Sequence, residues 1–176
     1  AVGRALELDR GNARALGVQG DLLLGRGNAS EAVPYYDASL RSDPRARNVW
    51  ERKGDAHAAL GQRPEAIRAY VQVVNLDQDD AEGYDRILAL VPQDVDLWVR
   101  KGHAHRHRGE VADAHEAYDR ALRIASERRD ALEGKAQLYL SSHEPEKALR
   151  CLDRVLQIDG ADPDAWRLRA DVLATA

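Results

Sequence analysis

Residues 95–128 read VDLWVRKGHAHRHRGEVADAHEAYDRALRIASER, and their spacing of large and small side chains returns every 34 positions. Trp98 is followed after four residues by Gly102, and Ala114 after four by Tyr118. In 47–80 the same places hold Trp50, Gly54, Ala66 and Tyr70. In 13–46 they hold Leu16, Gly20, Ala32 and Tyr36, and in 129–162 Leu132, Ala136, Ala148 and Leu152. Small residues at the eighth and twentieth positions let two helix backbones approach closely. The large ones at the fourth and twenty-fourth fill the space beside that contact.

The spacing predicts two helices per unit, because the apolar and small positions fall three and four apart. Gly27, Gly61 and Gly109 lie between the halves, where a tight turn needs positive φ. Between units, Ser42-Asp43-Pro44, Asp77-Gln78-Asp79-Asp80 and Asp159-Gly160-Ala161-Asp162-Pro163 supply caps and breakers. Residues 1–12, with Leu6 and Leu8, read as the last half of a second helix. Residues 163–176, with Trp166 and Ala170 in register, read as a first helix without its partner. The expected count is eleven helices. The chain begins at Ala1 without an initiator Met and reads as an excerpt of something longer.

Trp98 and Trp166 are 68 residues apart, two periods, but Trp50 and Trp98 are 48 apart, one period plus 14. The extra segment is 81–94, where Tyr84, Ile87, Leu88 and Leu90 have helical spacing and Val91-Pro92 ends the run. It reads as a truncated repeat, a lone helix that alters the superhelical angle. Such a bend either shapes a binding groove or is a tolerated deletion. The second reading is favoured, since stacked repeats absorb defects through nearest-neighbour contacts.

Composition narrows the function classes. The 176 residues are 44% apolar and 32% charged, which is enough to bury a core. The net charge of −4 argues against sequence-independent nucleic-acid binding. No run of eighteen apolar residues occurs, so no membrane span is expected. The single cysteine, Cys151, excludes an internal disulfide framework and reads as a small apolar filler. No phosphate-binding glycine loop and no nucleophile elbow is present. No catalytic residue and no cofactor is therefore expected.

The Trp98-x2-Lys101-Gly102 and Ala114-x3-Tyr118 stretches, with their counterparts around Trp50 and Tyr70, resemble the signature of the tetratricopeptide repeat. The resemblance implies an all-α, right-handed α-α superhelix of stacked antiparallel helix pairs, interrupted by a single helix near 81–94. The whole chain, 1–176, would be one solenoid: a partial repeat over 1–12, full repeats over 13–46, 47–80, 95–128 and 129–162, and a terminal helix over 163–176. It also implies that first helices line a concave groove that holds peptides. By register that groove takes in Arg14, Val18, Asp21, Asn48, Glu51, Arg52 and Asp55, then Glu82, Asp85, Arg86, Asp96, Val99, Arg100, His103, Arg106 and His107, then Asp130, Glu133, Gln137 and Leu140, a wall of mixed charge. Some members clamp an acidic chaperone tail with Lys and Asn. The matching places here are Gly17, Asp21 and Arg52, or Val99, His103 and Gly134, so that partner is not expected.

Arg100, His103, Arg106 and His107 share one helical face and form a local positive site in an acidic chain. Such a face suits an acidic side chain or a C-terminal carboxylate. The plainer reading is a set of cations near a helix C-terminus, neutralised by Asp96 and Asp130, with Asp96 and Arg100 paired at i,i+4. His103 and His107 have metal-ligand spacing, but no Glu follows His103 and Arg106 and Arg108 repel a cation, so no metal site is expected.

The expected function is a non-catalytic protein–protein interaction module holding an acidic partner peptide at Arg52, Arg86, Arg100, His103, Arg106 and His107. The alternative is a regulatory or docking segment of a larger enzyme whose catalytic domain lies elsewhere. Weak self-association through Trp166 and the terminal helix is a further expectation. Cytoplasm is the default location.

Overall fold

The computed structural model describes residues 12–175, and among them it contains ten helices and no strand. They are α1 (Ala13–Gly25), α2 (Ala29–Ser42), α3 (Arg47–Ala59), α4 (Arg63–Leu76) and α5 (Ala81–Leu90). After these come α6 (Val95–His107), α7 (Val111–Ile124), α8 (Arg129–Ser141), α9 (Pro145–Ile158) and α10 (Pro163–Thr175). The eleventh helix expected at the N-terminus lies outside the described residues. The first five helices make one compact unit and the last five a second, divided between Leu90 and Val91.

Four helix pairs form, α1 with α2, α3 with α4, α6 with α7 and α8 with α9. Gly27, Gly61 and Gly109 turn three of them at φ of 83°, 72° and 75°, and His143 takes the same left-handed place in the fourth at 57°. Within a pair the packing follows the large-and-small pattern. A methyl built on Gly20 would lie 2.6 Å from the Tyr36 ring, and one on Gly102 would lie 2.5 Å from Tyr118. Only a bare Cα fits beneath those rings. In the fourth pair the filler is the shorter Leu152, and Ala136 replaces the glycine beneath it, both fully buried.

Neighbouring pairs are stapled by polar contacts at constant spacing. Lys53 bonds Asp37 at 2.6 Å, Lys135 bonds Asp119 at 2.5 Å and Arg169 bonds Asp153 at 2.8 Å, each from a first helix back to the preceding second helix. The same places hold Val71 and Ile87 where α5 meets α4. Each tryptophan donates its indole N–H at 2.9 Å to a carbonyl six residues back, Trp50 to Pro44, Trp98 to Pro92 and Trp166 to Gly160. Arg47 reaches the buried Asp80 at 2.6 Å, and Arg129 the buried Asp162 at 3.3 Å, joining the first and last residues of a repeat.

The helix α5 occupies the first-helix register, with Gly83 packed over Val74 and Asp80. Its eighth position is Leu88, buried, where every full repeat has Gly or Ala. The cap segments between repeats differ in detail from the expectation. Asp43, Asp77 and Asp159 close turns by accepting from the amide two residues on, at 3.0, 3.1 and 3.1 Å. Asp162, within the expected 159–163 segment, caps α10, and Asn12 and Asp94 cap α1 and α6, whereas α3 begins after Ala46 with no side-chain cap.

Candidate functional site

In three of the four helix pairs the ninth position of the first helix meets the tyrosine hydroxyl of its partner helix. Tyr36 donates to Asp21 at 3.0 Å and Tyr70 to Asp55 at 2.9 Å. Burial, then these bonds to carboxylates, pushes the Tyr70 phenol up to about 12 and Tyr36 higher still. Asp21 and Asp55 are therefore half of an internal contact before any ligand arrives.

Asp55 also collects two of the three arginines expected in the groove of this unit. Arg86 lies 2.6 Å from it and over the Tyr70 ring at 5.8 Å, and Arg52 lies 3.5 Å away. Arg52 reaches Asp21 as well, at 3.9 Å. The structure thus brings Arg52 and Arg86 together, but around a carboxylate that already occupies them. Beside them a cavity of about 550 Å³ opens between α1 and α3, floored by Gly17, Val18 and Val49 and rimmed by Arg14, Asp21 and Asn48.

In the second unit the ninth position is His103, and Tyr118 meets its Nδ1 at 2.8 Å. Burial, with Arg106 and His107 adjacent, holds His103 below the ordinary imidazole range against the opposing pull of Asp130. A neutral ring accepts the Tyr118 proton at Nδ1, as the carboxylates do in the other unit. His103 therefore adds no charge to the α6 face near neutral pH, which departs from the sequence expectation. Arg106 is half-buried, its Nε has no hydrogen-bond partner among the described residues, and its Nη2 lies 3.4 Å from His107.

Arg100 stands exposed on α6. Its register equivalents Arg52 and Arg86 find carboxylates at the ninth position of the preceding first helix, Asp21 and Asp55. No ion pair forms at Arg100 among the described residues. The expected Asp96–Arg100 pair gives way to Arg128, which binds Asp96 at 2.7 Å and Asp130 at 2.9 Å. Both carboxylates expected to neutralise the cluster are thereby engaged elsewhere. Further along the same unit, a cavity of about 330 Å³ between α8 and α10 is lined by Glu133, Gln137, Asp164, Arg167, Leu168 and Asp171, with Arg167 bonded to Asp164 at 2.9 Å. Burial raises Glu133 above the usual carboxylate range, although Arg129 lies 3.0 Å from it.

One constellation escaped the sequence reading. His105 Nδ1 lies 2.6 Å from Glu110 and, with Asp113, forms a group whose ligating atoms all lie within 4.8 Å of one another. The turn after α6 brings them together, so helical spacing alone could not reveal it.

The tetratricopeptide repeat model matches residues 1–46, 18–81 and 79–128, and a second model of that repeat matches 105–172. The chain belongs to the tetratricopeptide repeat family. TPR chains with solved structures share the fold at low identity. A thermophilic TPR protein of Thermus thermophilus is 16% identical with a TM-score of 0.50, covering 92% of this chain and 99% of that one. Cut9–Hcn1, an APC/C hetero-tetramer, is 18% identical with a TM-score of 0.50, covering 98% of this chain and 45% of that one. YrrB, described as a TPR protein with an unusual peptide-binding site, is 16% identical with a TM-score of 0.48 over 97% of this chain and 98% of that one. No curated protein matches the chain in sequence. TPR repeats are generally a non-catalytic interaction fold, and these form a protein–protein interaction module.

Proposed function

We propose that this TPR array is non-catalytic and holds an acidic segment of a partner protein on the α6 face of its second unit. Arg100 carries the reading. It is exposed, forms no ion pair among the described residues, and shares its face with Arg106. Arg52 and Arg86, at the same register, are engaged with Asp55. An arginine without a carboxylate on a preformed helix binds an incoming one at little ordering cost. Arg106 adds a second guanidinium, and His103 serves as the neutral floor between them. Arg52 and Arg86 act in the first unit as the frame that holds Asp55 and Tyr70.

The test is a peptide-display selection against the chain and against its Arg100→Glu/Arg106→Glu variant. Acidic peptides should enrich on the first and be lost on the second. Enrichment of the same acidic peptides on both would refute the assignment.

A further inference from the structure

The two hairpins at equivalent register, α3–α4 and α6–α7, differ in a telling way. In the first, His57 Nδ1 meets the amide oxygen of Gln62 at 2.7 Å, and Glu65 is held by Arg68 at 2.6 Å. A neutral acceptor therefore suffices to fix the imidazole. In the second, Gln62 is replaced by Glu110, and Arg68 by Glu116. The first change sets a carboxylate 2.6 Å from His105. The second removes the arginine that would bind the residue matching Glu65, which is Asp113. Asp113 is exposed and forms no ion pair among the described residues. Both carboxylates exceed what the hairpin needs.

We propose that His105, Glu110 and Asp113 form a binding site for a divalent transition-metal ion of the zinc class. Their ligating atoms lie within 4.8 Å of one another, and an ion bound at about 2.1 Å to each needs them about 3.4 Å apart. Rotation of the exposed Asp113 side chain shortens the longer separations, while the His105–Glu110 contact, now 2.6 Å, opens by about 0.8 Å to admit the ion. One imidazole nitrogen and two carboxylate oxygens suit zinc or cobalt better than calcium or magnesium, which take oxygen alone. Arg108 occupies the second oxygen of Glu110 at 2.9 Å and offsets one negative charge, leaving Oε2 toward His105. On binding, the ion takes the Nδ1 lone pair of His105 and an Oε2 lone pair of Glu110 in place of the hydrogen bond between them, the neutral imidazole carrying its hydrogen on Nε2, and water completes the coordination.

The test uses Co²⁺ as a spectroscopic probe with calorimetry on the intact chain. One equivalent should bind, with visible absorption bands and with affinity that falls as pH is lowered. Asp113→Asn, an exposed change that spares the fold, should weaken binding about tenfold or more, as should His105→Gln. His57→Gln and the His103→Gln/His107→Gln pair should leave it unchanged. No binding, unaltered binding in Asp113→Asn, or loss in the His103/His107 variant would each overturn the proposal.

Discussion

Gly102 lies beneath Tyr118, and a methyl added there would fall 2.5 Å from the ring. Ala136 and Leu152 occupy the same two places in the next repeat. Large and small residues are therefore matched across each helix pair rather than chosen separately. Gly102→Ala should destabilise the chain, since overpacking costs about 1–3 kcal/mol and the better helix propensity of Ala returns at most about 1. Adding Tyr118→Leu should lose less than the sum of the single effects. A urea double-mutant cycle measures that coupling, and strict additivity would contradict the matched pair.

His143 sits at φ 57° where three other hairpins have glycine. A left-handed non-glycine residue costs about 1–2 kcal/mol, partly offset by the greater freedom glycine loses on folding. His143→Gly should raise stability by up to about 1 kcal/mol, read from the urea midpoint.

Arg47 covers the buried Asp80. Arg47→Met leaves that carboxylate without its cation, at a cost of about 2 kcal/mol, less than the roughly 3–5 of a fully buried pair because Arg47 is partly exposed. Arg47→Met/Asp80→Asn should recover much of the loss, since the stranded charge is gone.

Burial lowers His103 and His115 below the ordinary imidazole range. Both are neutral in the folded chain, while the unfolded chain takes up their protons near the ordinary imidazole value of 6.5. Their stabilisation is thus whole above that pH and declines as pH falls through it toward the lower folded values. His103→Asp restores the acceptor used by Tyr36 and Tyr70. It should flatten the fall in stability between about pH 7 and 5.5. Equal slopes for variant and parent would contradict a buried neutral His103.

The 34-residue period, the glycine–tyrosine matching and the lone helix at 81–94 were legible because each depends on side-chain size at helical spacing. Leu88 at a small-residue place is itself a sequence signal for that lone helix. The charged face was less legible. An i,i+4 ion pair is worth little, so the spacing of Asp96 and Arg100 could not compete with Arg128 arriving from the turn before α8. The neutrality of His103 depends on burial and on Tyr118, fifteen residues away on another helix. The tryptophan N–H bonds and the His105–Glu110–Asp113 group arise from turns, whose paths a residue pattern does not specify.

The most direct measurement compares two single charge reversals at the same register, Arg100→Glu and Arg52→Glu, by fluorescence anisotropy with an acidic peptide selected on the parent chain. An arginine that forms no internal ion pair should contribute far more than one already held by Asp55. Arg100→Glu should weaken binding by about tenfold or more, and Arg52→Glu by about twofold or less. Equal losses, or a loss confined to Arg52→Glu, would contradict the α6 site.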